Sequence, residues 1–320
     1  MRTWRTFNAE IIATIIITTF CLWLFVLFVD PYDTGRFALL PKRSLSAISN
    51  RMAVASLGRN PQFNGVIIGN SHVAPLSPQR LSEYTGLEFV ALTLPGASVA
   101  PELSVLKWFL THRETPPRAI IIGIDDVWCR TTPRYMEEPP QPTWLIDESP
   151  IAYAASAFRY DGLEQAFQRF WAPSKTVARP PNPRGFWDLE LDFIWDKEKV
   201  LAELSKPWIS SINLSGEYPS LKMLGETLKS ASNHTAVALV LLPVWADTLP
   251  KGGQELISEE SCKRAMRDFI KSRKGGILID GRSTNVMTTD PRNFFDRTHY
   301  REPIAREIEA ELALQLKRGL

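Results

Sequence analysis

Two short segments far apart in the chain hold the residue types of nucleophilic acyl chemistry. Asn70, Ser71 and His72 follow the apolar run Gly65–Gly69, while Asp296 and His299 stand in Phe294–Tyr300, before the last helical pattern. A serine hydroxyl becomes a nucleophile when an imidazole within hydrogen-bond reach takes its proton and a carboxylate orients that imidazole. An aspartate and a histidine three positions apart supply base and orienter from a single turn. Each segment also has a plainer reading. Ser71 can be an ordinary loop serine capping the next helix, and His299 can stack under the terminal helix while Asp296 caps a turn. Taken singly, each motif favours its plainer reading. Nor is Ser71 in a Gly-x-Ser-x-Gly elbow, because Val73 occupies the last glycine position.

What gives the two segments weight is where the surrounding elements put them. Gly65–Gly69, Phe89–Thr93, Ala119–Gly123, Thr235–Leu242 and Gly276–Asp280 are near-continuous apolar runs, as expected of strands in a parallel sheet covered on both faces. Helical patterns alternate with them. Pro101 opens one at its first position, with Leu103, Leu106, Phe109 and Leu110 on its apolar face. Ser258 can cap a second, which stops at Gly275. A last one follows Pro303, with Ile304, Ile308, Leu312 and Leu316 on one side. The pattern predicts an α/β fold: a doubly wound, mostly parallel five-stranded sheet in three layers, of flavodoxin-like type. In such sheets ligands bind beyond the carboxyl ends of the strands, and Ser71 lies just past the first of them.

Residues 130–215 break the alternation. They contain no convincing core strand but many Pro, Trp and Tyr residues, among them Trp144, Trp171, Trp187, Trp195 and Trp208, with proline clusters around Pro139 and Pro180. This stretch reads as an aromatic-rich helical insertion of two or three helices, one over Asp161–Trp171. Aromatic walls can bind sugars, but packing of the insertion onto the sheet explains most such rings.

Two more segments complete a pattern. Gly96 follows the second strand, and Gly123, Asp125 and Asp126 follow or end the third. In order, these four segments resemble the signature blocks of the SGNH (GDSL-type) hydrolase superfamily: Gly-Asp-Ser, a glycine, Gly-x-Asn-Asp and Asp-x-x-His. The resemblance covers roughly residues 61–320, with the insertion extra. It implies Ser71 as nucleophile, His299 as general base and Asp296 as its orienter, with the backbone N–H groups of Ser71 and Gly96 forming an oxyanion hole. Asn70 stands in place of the family's aspartate, and Asp125 in place of its oxyanion-donating asparagine. An ionised Asp125 has no proton to donate. It must therefore be turned away or protonated, or the hole has two donors, and one lost donor costs on the order of a hundredfold in rate.

The amino-terminal end carries a different signal. Ile11–Val29 is a run of nineteen uncharged, mostly apolar residues, about 28 Å of helix against a hydrocarbon core of about 30 Å. It ends in Val-Asp-Pro-Tyr-Asp, a poor cleavage site, so an uncleaved signal anchor is expected rather than a signal peptide. Arg2 and Arg5 precede it, but Arg36, Lys42 and Arg43 follow closely, so the charge rule leaves orientation nearly tied. The resemblance tips it toward a domain outside the cytoplasm. Anchored SGNH-like domains are similar to the envelope proteins of alginate acetylation and teichoic-acid D-alanylation, often found beside a membrane-bound O-acyltransferase. The expected organisation is a tail and transmembrane anchor over 1–29, a linker over 30–60 and an SGNH-like domain over 61–320 with its insertion at about 130–215.

Composition removes other classes. With 37 Lys+Arg against 35 Asp+Glu the net charge is +2, without the basic excess of a nucleic-acid binder. Three cysteines, at 21, 129 and 262, make neither a disulfide framework nor a zinc site, though Cys129 and Cys262 could pair if close in space. No metal-ligand spacing and no glycine-rich phosphate loop occurs, so no cofactor is expected. Among the remaining histidines, His72 reads as an exposed loop residue that could touch substrate. His112 reads as a solvent-facing helix end favoured by the dipole, and His234 as part of a turn. Asp280 either supports the site loop or closes a turn. The expected activity is that of a serine esterase or O-acyltransferase working on an ester of an envelope polysaccharide or glycolipid. The competing expectation is an inactive SGNH-fold protein that binds polysaccharide or scaffolds an envelope complex.

Overall fold

The structure, a computed structural model, describes residues 3–37, 50–147, 149–171, 182–191 and 193–319. Lys42, Arg43, Arg2, Pro180 and much of the expected linker lie outside the described residues. The described residues form ten α-helices and five strands. In chain order the helices are α1 (Trp4–Val29), α2 (Asn50–Gly58), α3 (Pro78–Thr85), α4 (Val99–Thr111), α5 (Pro150–Ala157), α6 (Tyr160–Trp171), α7 (Lys197–Leu204), α8 (Pro219–Leu228), α9 (Gly253–Lys271) and α10 (Glu302–Gly319). The strands are β1 (Gly65–Gly69), β2 (Phe89–Thr93), β3 (Ala119–Ile124), β4 (Ala236–Leu241) and β5 (Gly276–Asp280).

All four strand pairings are parallel, in the order β2-β1-β3-β4-β5. Strands β1 to β4 are buried along their whole length, which is why their sequences lack the alternation of a half-exposed sheet. Ile67, Ile121, Ala238 and Val240 face one core with Leu81 of α3 and Ile304, Ile308 and Leu312 of α10. The edge strand β2 is not left open, since the Ala91 N–H donates to the Arg184 carbonyl at 2.8 Å.

The boundaries of α4 and α9 differ by more than one residue from those expected. Helix α4 begins at Val99, so Pro101 is its third residue rather than its first. The amide it lacks is still one of the four that no helical carbonyl can accept. Helix α9 begins at Gly253, and Ser258 lies inside it, accepting from the Asn213 N–H at 2.8 Å. That helix ends at Lys271 with Ser272 as cap, and Gly275 (φ +72°) makes the turn into β5. His112 is not solvent-facing: its ring stacks on Trp108 at 4.1 Å, with Nδ1 2.7 Å from the Trp108 carbonyl.

The chain divides into two compact units, and not at the expected boundaries. One takes its residues from 1–56 and 142–180, the other from 57–141 and 181–320. The middle of the insertion therefore belongs with the amino-terminal helix rather than with the sheet. Within that first unit, α1 is long and apolar enough to cross a membrane. It ends at Asp30, whose buried carboxylate accepts from Tyr153 Oη at 2.6 Å, Thr34 Oγ1 at 3.0 Å and the Gly35 N–H at 2.7 Å. The Arg169 guanidinium donates to the Asp30 carbonyl and, at 2.7 Å, to Asp33. Buried carboxylates are tolerated only with this degree of pairing.

Candidate active site

The sheet unit's crossover reverses between β1 and β3, where open sheets leave a crevice at the strands' carboxyl ends. Asn70 extends β1 into this crevice and caps a short 3-10 turn over Ser71–Val73, its Oδ1 accepting from the His72 N–H at 3.0 Å. The turn hugs the sheet end because Gly123 offers no side chain there: a Cβ would lie 2.9 Å from Val73 Cβ. Asn70 Nδ2 reaches the neighbouring loops, donating to Asp125 Oδ2 at 2.5 Å and to the Ala97 carbonyl at 3.4 Å. The β2 loop turns at Gly96, whose φ of +70° is a conformation other residues adopt only under strain.

Asp296 lies on the loop that leads to α10, far along the chain from Ser71, and folds that loop around itself. Its Oδ1 accepts from the N–H groups of Thr298 (2.8 Å) and His299 (2.9 Å) and from Thr298 Oγ1 (3.1 Å). Its Oδ2 lies 2.7 Å from His299 Nδ1. On the other side of the ring, His299 Nε2 is 2.9 Å from Ser71 Oγ. Burial pushes the Asp296 carboxyl up, but the His299 ring and the two backbone donors outweigh it and hold the group well below the usual carboxylate range. With Asp296 ionised, the ring proton belongs on Nδ1, which leaves Nε2 to accept from the serine hydroxyl.

Two devices hold these loops in register. Arg80 of α3, the helix after the Ser71 turn, donates from Nε to Glu309 Oε2 of α10 at 2.6 Å, and the Ser77 N–H donates to Glu309 Oε1 at 2.6 Å. Glu309 is fully buried, and that burial raises its carboxyl above the ordinary value despite Arg80. The Trp245 N–H, past β4, donates to the Arg297 carbonyl at 2.8 Å.

Asp125, at the end of β3, resolves one of the open questions from the sequence. It is buried, and it accepts from Asn70 Nδ2, from Tyr135 Oη at 2.6 Å and from the Val127 N–H at 3.1 Å. His72 Nδ1 is 3.5 Å from the same carboxylate. Burial would raise the Asp125 pKa, but His72, Tyr135 and Asn70 together bring it down to about 2. Asp125 is therefore ionised at neutral pH and is an acceptor throughout. Hydrogen-bond donors for an oxyanion reduce to backbone groups, and among the described residues the amides of Ser71 and Gly96 have no hydrogen-bond acceptor.

His72 is not the exposed loop residue expected. Its side chain is mostly buried, its ring lies 4.4 Å from the His299 ring, and its Nε2 is 3.1 Å from Thr298 Oγ1. Thr298 and Tyr135 escaped the sequence reading. Thr298 lies inside the Asp-x-x-His segment and was legible there as a hydroxyl beside both partners. Tyr135, in a proline-rich stretch, gave no signal. His234 stays in a turn, with its N–H on Ser232 Oγ at 3.2 Å. Asp280 serves a turn and an ion pair, accepting from the Arg282 N–H at 3.0 Å and lying 3.1 Å from Lys263 Nζ.

A small cavity adjoins the site. His72, Asp125 and Thr298 line it, together with Trp208, Leu249 and Arg282 among others. Of the insertion's tryptophans, Trp208 is the one at this cavity, whereas Trp195 packs against the core and Trp144 packs edge-on to Tyr32. Beside the cavity, Cys129 and Cys262 form a disulfide with Cα atoms 5.6 Å apart, tying the turn after Asp125 to α9. No group of His, Cys, Asp and Glu among the described residues could hold a metal ion. In comparisons with known proteins, no family model and no curated protein matches this chain.

Proposed function

We propose that this protein is a membrane-anchored, SGNH-like serine esterase or O-acyltransferase. The observation that carries the reading is the chain of contacts Ser71 Oγ–His299 Nε2 and His299 Nδ1–Asp296 Oδ2, at 2.9 and 2.7 Å. A serine that merely caps a turn has no need of an imidazole on its hydroxyl, still less of one backed by an ionised carboxylate. In the proposed reaction Ser71 Oγ attacks an ester carbonyl while its proton passes to His299 Nε2. Negative charge on the carbonyl oxygen is met by the Ser71 and Gly96 amides. Collapse expels the alcohol, which takes the proton from His299, and leaves an acyl-serine. Water or a sugar hydroxyl then gives its proton to His299, attacks the acyl carbon and releases Ser71.

An ester of an envelope polysaccharide or glycolipid fits the rest of the chain as substrate. The helix α1 would hold the enzyme at the membrane, and a membrane-bound O-acyltransferase would be a natural partner. The Cys129–Cys262 disulfide supports a domain outside the cytoplasm, where such bonds persist. The second reading, an inactive SGNH-fold protein binding polysaccharide, is favoured by one observation. An ionised carboxylate, Asp125, stands where the resemblance calls for an oxyanion donor.

A fluorophosphonate probe separates the two. The full chain is labelled in detergent, because Trp23 of α1 donates to the Ala154 carbonyl of α5 and the helix is thus part of its unit. Labelling that disappears in both Ser71→Ala and His299→Ala is expected. An unlabelled but folded wild-type chain would overturn the enzyme reading in favour of the binding protein.

A further inference from the structure

The apolar segment of α1 crosses a bilayer only if part of the helical unit around it enters the lipid as well. The segment from Ile11 to Val29 has nineteen residues, about 28 Å, which is nearly all of a ~30 Å hydrocarbon core. Only its first portion stands clear of other helices. Residues 3–21 are exposed, whereas from Leu22 to Val29 only Leu24 and Phe28 are. The clear portion, Ile11–Cys21, spans about 16 Å, roughly half of what is needed. Extending the span the other way would draw in Glu10 and Arg5, whose charges resist burial in lipid. The missing length has to come from residues 22–29, and these are flanked by α5 and α6.

Helix α6 is built for that position. Phe170, Leu163, Phe167 and Trp171 fall within about 100° of arc, and Gln168, Asp161 and Gln165 occupy the opposite side. Phe167, Phe170 and Trp171 are 40%, 43% and 66% exposed. They also surround Phe25 of α1, with ring centroids 5.0, 5.5 and 6.1 Å away. The apolar surface of α1 thus runs without a break onto α6, and Ile151 of α5 is 81% exposed as well. The buried charges at this level are paired inside the unit, Arg169 with Asp33 at 2.7 Å and Asp30 with Tyr153 and Thr34, while the exposed Glu164, which accepts from Gln168 Nε2 at 3.3 Å, borders the aromatic arc on the side that would face the headgroups. Paired, inward-facing charges are what a lipid-bordering unit requires.

We propose that α6, with the start of α5, lies at the headgroup-to-acyl boundary beside the end of α1, its Phe167–Phe170–Trp171 edge in lipid. The chain then holds the membrane by an aromatic collar in addition to a spanning helix. The proposal rests on α1 crossing the membrane, and one experiment tests both. Single cysteines are placed at Ile16, Phe170 or Gln168 of the full chain in a Cys21→Ser background, Cys129 and Cys262 being bonded to each other. Each is nitroxide-labelled in vesicles of phosphatidylcholine and phosphatidylglycerol, and collisions with oxygen are compared with those of a water-soluble nickel chelate.

The oxygen-to-nickel ratio is expected to be several-fold higher at Phe170→Cys than at Gln168→Cys, and highest at Ile16→Cys. Equal, water-like ratios at 170 and 168 with a lipid-like Ile16 would overturn the collar alone. A water-like Ile16 would remove the spanning helix beneath it. A label at 170 shielded from both reagents would mean that a second copy or a partner's helix covers the edge, and that too overturns the lipid assignment. Phe167→Cys reads the same arc should Phe170→Cys fail to fold.

Discussion

The crevice holds two carboxylate–imidazole pairs, and they differ in what lies beyond the ring. Asp296 meets His299 Nδ1 at 2.7 Å, and the other ring nitrogen is on a serine hydroxyl. Asp125 lies 3.5 Å from His72 Nδ1, and the other nitrogen of that ring is on Thr298, a hydroxyl already bonded to Asp296. Both aspartates are held ionised by their neighbours, so charge does not separate them. The difference is commitment: Asp125 also serves Asn70 and Tyr135 and knits three loops together, whereas Asp296 spends its second oxygen on one imidazole. The same two residue types make an arrangement suited to a proton relay in one place and a structural knot in the other.

Asp296→Asn should have the largest effect if this comparison is right. The amide cannot hold His299 in the tautomer that accepts from Ser71, and ester cleavage or acyl transfer should fall by about 10⁴-fold. Activity within tenfold of wild type, measured on an activated aryl ester, would remove Asp296 from the relay. Asp125→Asn should behave in the opposite way. Turnover should stay within about tenfold of wild type or rise, since a repelling charge is replaced by a possible donor. Denaturant unfolding should show a loss of about 1–3 kcal/mol as the acceptor of two buried donors is weakened. A collapse of activity as deep as that of Asp296→Asn would make the two pairs equivalent.

The smallest effect is on pH dependence. Asp125 titrates near 2 in the folded chain against an ordinary 3.8. A depressed carboxylate contributes stability that is complete above the unfolded value and disappears as pH falls through the folded one. The wild type should therefore lose on the order of 2 kcal/mol between about pH 4 and pH 2 through this group. Asp125→Asn should show a shallower decline over the same window, followed by unfolding midpoints. Parallel curves would mean that Asp125 is not ionised in the fold.

The sheet was legible because burial on both faces writes itself into sequence as unbroken aliphatic runs, such as Val66–Ile68 and Ile120–Ile122. Ser71 was legible because it sits at the end of one of those runs, and Asp296 and His299 because their three-residue spacing falls just before the last helix. The first unit was not, since its ties join positions such as Asp30 and Tyr153, 123 residues apart, with no periodicity to announce them. The same holds for Tyr135, whose contact with Asp125 depends on how a proline-rich loop is laid across the crevice. The burial of His72 was not legible because a histidine in a loop after a strand looks exposed until Thr298 arrives from the far end of the chain to cover it.

The Cys129–Cys262 bridge bears on how the molecule is made. Its two ends are 133 positions apart, so the oxidant can act only after nearly the whole chain has been delivered. Closing a loop of that length removes about 5 kcal/mol of freedom from the unfolded ensemble. Synthesis in a thiol-rich compartment would forgo that contribution and leave the turn after Asp125 fastened by packing and by hydrogen bonds such as that from Asn213 Nδ2 to the Cys129 carbonyl at 3.0 Å. An oxidising environment is thus a condition for a finished crevice.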